Sequence, residues 1–101
     1  MRLGDYECNL LQDSLVKNIY NSKNILERHR HRYEFNINHL ETFEKNGLIA
    51  TGRHSSNKLI EILEMKSHPW FIGVQFHPEL KSRPFSPHPL FTSFIKTAIN
   101  I

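Results

Sequence analysis

The sequence predicts an α/β chain in which antiparallel strands alternate with short helices. Residues 25–35 alternate, with Arg28, Arg30, Arg32 and Glu34 on one side and His29, His31, Tyr33 and Phe35 on the other, the period-two signature of a strand. Two apolar runs, 59–65 and 70–76, are joined only by Lys66-Ser67-His68-Pro69. That link is too short for a parallel crossover, so the runs are expected to be antiparallel neighbours. Near the C-terminus, Leu90, Phe91, Phe94, Ile95, Ala98 and Ile99 recur at the spacing of one helix face.

The elements follow in order. Asp13-Ser14 is a good N-cap, and Leu15/Ile19 and Val16/Tyr20 pair one turn apart, which predicts a short helix to residue 20. The alternating segment 25–35 is the first strand the pattern announces. Asn38 then caps a second helix of about two turns, with Glu41 three residues on, Phe43 inside and Gly47 at its stop. The run Trp70–Phe76 is almost continuously apolar, as a strand covered on both faces would be. It ends abruptly at His77-Pro78-Glu79, and a polar, proline-rich loop leads through Pro89 into the last helix.

Composition bounds what this chain can be. With 101 residues, 39% of them hydrophobic, it can form one small domain or a piece of a larger one. Mean hydropathy is −0.49, and no stretch approaches the ~20 apolar residues of a membrane helix. The start, Met1 to Cys8, has no apolar signal core, and the single cysteine cannot form an intrachain disulfide. The expected setting is the cytoplasm, with no membrane partner. Net charge is +3, and Arg28, Arg30 and Arg32 account for all of it. The basic character is one stripe on a balanced chain, which argues against a nucleic-acid partner.

Two features could carry chemistry. At Val74-Gln75-Phe76-His77-Pro78-Glu79 a strand delivers a histidine and, two residues later, a carboxylate. Such a pair can move protons, the carboxylate fixing the imidazole tautomer. The plainer alternative is that His77 ends the strand and Glu79 is solvated. The arginine stripe suits small anions, since each guanidinium can grip one bidentately. Its plainer alternative is an exposed strand whose arginines pair with Glu27 and Glu34. A metal reading would use His29 and His31, but no third ligand has matching spacing. Cys8 lacks the flanking glycines of an exposed nucleophile turn and reads as a buried structural thiol.

Gln75-Phe76-His77-Pro78-Glu79 resembles the histidine–glutamate end of class I (triad-type) glutamine amidotransferase domains. Met1-Arg2-Leu3-Gly4, Arg28 to Asn36, His68-Pro69-Trp70-Phe71 and the tail Lys81-Ser82-Arg83-Pro84 … Pro87-His88-Pro89-Leu90-Phe91 narrow the likeness. Together they are similar to the C-terminal end of the CTP synthase family, over essentially the whole chain. The resemblance implies the C-terminal portion of a flavodoxin-like domain.

It also implies a parent enzyme that aminates UTP to CTP with ATP, Mg²⁺ and ammonia released from glutamine. GTP would activate that enzyme, which would be a homo-oligomer at full length. By residue match, His77 is the expected general acid/base and Glu79 its orienting carboxylate. Arg32 and Tyr33 would lie by the bound glutamine, and Arg30 would face the GTP-sensitive region. No cofactor or metal is expected in this segment itself. The family's Gly-x-Cys-x-Gly nucleophile turn, its oxyanion loop and its synthetase domain have no counterpart here, and Leu80 replaces the usual aromatic. Residues 1–101 are therefore expected to be a C-terminal piece of the glutaminase domain, inactive and marginally folded by itself, whose missing part is the upstream half. The alternative is a non-catalytic interaction or regulatory module.

Overall fold

The computed structural model describes residues 2–31, 33–56 and 58–100. Two strands that the sequence pattern does not announce, β1 (Arg2–Leu10) and β3 (Leu48–His54), occupy the middle of a five-stranded sheet. The others are β2 (Asn24–His31), β4 (Ile60–Met65) and β5 (Ile72–Val74), in the order β2-β1-β3-β4-β5 with every neighbour antiparallel. The β1–β2 ladder runs from Asn9–Asn24 to Arg2–His31. The expected strand 25–35 therefore stops at His31: the alternation persists to Phe35, but residues 33–36 have no regular structure.

The β3–β4 register contains two irregularities. Ala50 faces Leu63, Gly52 faces Ile62, and Arg53 faces Ile60, so Thr51 is extra on one strand and Glu61 on the other. Such bulges bend a strand and re-aim a side chain. Gly52 is required there, because a Cβ would lie 2.7 Å from Ile62 Cδ1 and 2.9 Å from Cys8 Sγ.

Strand β5 is short and lies at the sheet edge, with Gly73 and Phe71 exposed and Phe76 buried. The expectation of a strand covered on both faces is corrected on that point. Its antiparallel pairing with β4 is as expected.

Helix α1 (Leu15–Tyr20) starts at Ser14, whose hydroxyl accepts from Lys17 N, and Glu64 of β4 accepts from Leu15 N at 3.1 Å and Val16 N at 2.9 Å. Helix α2 (Leu40–Lys45) follows a 3-10 turn at Ile37–His39 that is capped by Asn36 rather than Asn38. Gly47, at φ +92°, ends this stretch in a conformation that favours glycine. Helix α3 (Pro89–Ile99) is capped by His88, whose Nδ1 accepts from Leu90 N.

Cys8, Leu10, Val16, Ile62, Phe76 and Leu90 form the main core beneath α1 and α3. A smaller cluster of Leu40, Ala50 and Ile60 lies under α2. Of the α3 apolar stripe only Leu90 is buried; Phe91, Phe94, Ile95 and Ile99 remain exposed. Among the described residues, no helix is long and apolar enough to cross a membrane.

Candidate active site

The sheet curls until β2 approaches the segment that leaves β5. Gln75 N donates to Glu61 O on β4 at 2.9 Å, and two residues later His77 N donates to Arg28 O on β2 at 2.7 Å. Between them the buried Phe76 ring packs edge-on to His29. His77 is thus held by main-chain bonds at the seam, and Pro78 starts a 3-10 turn (Pro78–Leu80) that swings Glu79 back beside it. His77 Nδ1 lies 2.9 Å from Glu79 Oε2, and Nε2 lies 3.2 Å from the main-chain oxygen of Arg30.

Both side chains are partly open to solvent. The hydrogen bond from His77 holds the Glu79 carboxyl below its ordinary value of 4.5, against an opposing effect of desolvation. An imidazole oriented this way can shuttle a proton through Nε2. Carboxylate and carbonyl are both acceptors, so the two contacts are simultaneous hydrogen bonds only when each ring nitrogen carries a proton.

The structure brings Arg30 to the same seam, but through its carbonyl. Its side chain and those of Arg28 and Lys81 line an open concavity of about 660 Å³ with Leu3, Asp5 and Leu80. Lys81 Nζ donates to Leu26 O at 2.6 Å and lies 3.5 Å from Asp5. Arg32 lies outside the described residues. Tyr33 is 80% exposed, and its carbonyl accepts from His31 Nδ1 at 2.9 Å.

Glu27 corrects a sequence expectation. Rather than pairing with the arginines, it is buried and accepts from Tyr20 Oη and His88 Nε2, each at 2.5 Å. It sits on the opposite face of β2 from Arg28, so alternation directs it inward. Cys8 is fully buried, its thiol directed at Asn9 O 3.8 Å away. Among the described residues, no group of three His, Cys, Asp or Glu side chains is arranged to hold a metal.

A family model described as glutamine amidotransferase class-I matches residues 1–97. The chain belongs to that family. Its α/β fold of antiparallel strands and short helices is the expected class I glutamine amidotransferase fold. The chain is 62% identical over 100 residues to a CTP synthase of Pelagibacter ubique, covering 99% of this chain and 19% of that protein. It is 55% identical over 98 residues to a CTP synthase of Ruminiclostridium cellulolyticum, covering 97% and 18%. Among solved structures it is similar to the glutaminase domain of Trypanosoma brucei CTPS with bound acivicin. That match has a TM-score of 0.91 and 37% identity, covering 99% of this chain and 40% of the other. The chain therefore spans about a fifth of the length of the curated relatives it matches.

Sequence reasoning missed the polar groups behind this amidotransferase seam: Glu27, Glu61 and His88. A signal was present for Glu61. A carboxylate inside the apolar run 59–65 belongs at a bulge or against a buried partner, since an unpaired charge there is costly.

Proposed function

We propose that this chain supplies the histidine–carboxylate part of the glutaminase centre of a CTP synthase. The observation that carries the reading is the 2.9 Å contact between His77 Nδ1 and Glu79 Oε2, at a point where two main-chain bonds fix the backbone. The high identity to CTP synthases supports the choice of enzyme within the family.

In this reading the thiol comes from a segment outside these 101 residues. His77 Nε2 takes its proton, and the thiolate adds to the glutamine amide carbon, sending the carbonyl electrons to oxygen. The oxyanion collapses, the C–N bond breaks, and His77 returns the proton to the departing ammonia. Water then adds to the thioester, giving its proton to His77, and the C–S bond breaks to release glutamate. Glu79 holds the ring and stabilises its charged form. Arg32 and Tyr33 contact glutamine, and Arg30 faces the GTP-responsive side. The ammonia goes to UTP in a synthetase part that uses ATP and Mg²⁺, within a homo-oligomer.

Ammonia release from glutamine by the purified chain tests the assignment. The expectation is no turnover, because the one cysteine present is Cys8. Turnover by the chain alone that Cys8→Ala abolishes would overturn the reading.

A further inference from the structure

Behind His77 lies a row of polar side chains, buried at Glu61 and His29 and partly open at His31, to which the glutaminase mechanism gives no task. Glu61, the extra residue of the β4 bulge, is 1% exposed and points Oε1 at His29 Nε2 across the curled sheet, 2.5 Å away. The contact is too close for two lone pairs to face each other, although it is not aligned as a straight hydrogen bond. His29 Nδ1 lies 2.8 Å from His31 Nε2, and His31 Nδ1 lies 2.9 Å from Tyr33 O. Tyr6 of β1 stands edge-on to His29 at 5.5 Å, Phe76 covers it from the β5 side, and Glu34 is 3.6 Å from His31.

The row can be counted in protons. It has three gaps and ends on two acceptors, a carboxylate and a main-chain carbonyl. Each gap needs one proton, and two neutral imidazoles bring only two. We propose that Glu61, His29 and His31 together hold one proton more than a carboxylate and two neutral rings. We further propose that Glu61 and His29 thereby act as positioning residues for His77.

The mechanical link is direct. His29 lies between Arg28 and Arg30, whose carbonyls receive His77 N and Nε2, and its ring supports Phe76, the residue before His77. Glu61 also accepts Gln75 N through its own carbonyl. A row with a proton in every gap fixes one arrangement of its elements, whereas a row missing a proton repels itself. The catalytic meaning rests on His77 being the acid/base proposed above; the proton count and the placement of His77 do not.

Long-range ¹H–¹⁵N imidazole spectra of the full chain near neutral pH test the proposal, with His31→Gln used for assignment. Of the four ring nitrogens of His29 and His31, one is expected to be unprotonated; two would also fit if the Glu61 carboxyl ¹³C shift is that of an acid. Two unprotonated nitrogens beside an ionised Glu61 would overturn the count. Glu61→Gln should change the proton pattern of the pair and shift the His77 ring signals. Glu64→Gln, on the same strand but directed at α1, should do neither. An unchanged His77 spectrum in folded Glu61→Gln would remove the positioning role. Should that variant fail to fold, the wild-type count still decides the matter.

Discussion

Nε2 of His77 lies 3.2 Å from the main-chain oxygen of Arg30, so this chain's own backbone occupies the nitrogen that would meet a thiol. The same backbone segment receives His77 N at Arg28 O. The histidine is thus placed by β2, an element 46 or more residues upstream of it.

The Glu79 carboxylate should titrate below 4.5, because the His77 hydrogen bond favours its ionised form. A lowered carboxylate value means that the pair's stabilisation is present above pH 4.5 and is lost as pH falls through the lowered value. Carboxyl ¹³C shifts followed against pH would show it. His77→Ala should move the midpoint back towards 4.5, and an unmoved midpoint would contradict the pairing.

Tyr20 is held far above the ordinary phenol value of 10, first by burial and then by its bond to Glu27. Its contribution is complete below pH 10 and is lost as pH rises beyond it. The Tyr20 phenolate band should therefore appear together with alkaline unfolding rather than before it. Tyr20→Phe should remove that coincident component and cost about 1.5–3 kcal/mol, the usual worth of a hydrogen bond to a charged group.

Glu64→Ala should cost about 2–3 kcal/mol in urea unfolding, since two main-chain N–H groups at the start of α1 lose their acceptor. Amide exchange at Leu15 and Val16 should accelerate more than at Lys17, which keeps Ser14. Equal acceleration at all three would point to general loosening instead.

Gly52→Ala should lower stability by about 1–3 kcal/mol, because the new methyl meets Ile62 and Cys8 inside the core. A double variant that also shortens Ile62 to Val should not recover fully, since the Cγ1 position of residue 62, 2.7 Å from the added carbon, and Cys8 Sγ, 2.9 Å from it, both remain. Full recovery would place the strain on Ile62 alone.

These sites also show what the sequence could reveal. The runs 59–65 and 70–76 were legible as antiparallel neighbours because each is apolar and the link between them is short. β1 was not, since among its described side chains the apolar inward positions come down to Tyr6, Cys8 and Leu10, and Gly4 and Asp5 dilute the alternation. β3 was hidden by its bulge: Ala50, Thr51 and Gly52 are all buried, which erases period two. His77 and Glu79 could be read because they stand two residues apart in sequence. Glu27, Glu61 and His88 find their partners through folding, 61 residues apart in the case of Glu27 and His88, so only the three-dimensional arrangement shows what they do.

Assignment of His77 and Glu79 as the histidine–carboxylate part of a glutaminase centre is the proposal on which the chemistry rests. Its most direct test mixes this chain with a polypeptide carrying the cysteine-bearing remainder of a CTP synthase glutaminase domain, and measures ammonia release from glutamine. Release is expected only when both are present. It should survive Cys8→Ala, fall by roughly 10²–10⁴-fold with His77→Ala as expected for loss of a general acid/base, and fall less with Glu79→Gln. Release that persists undiminished with His77→Ala would contradict the claim.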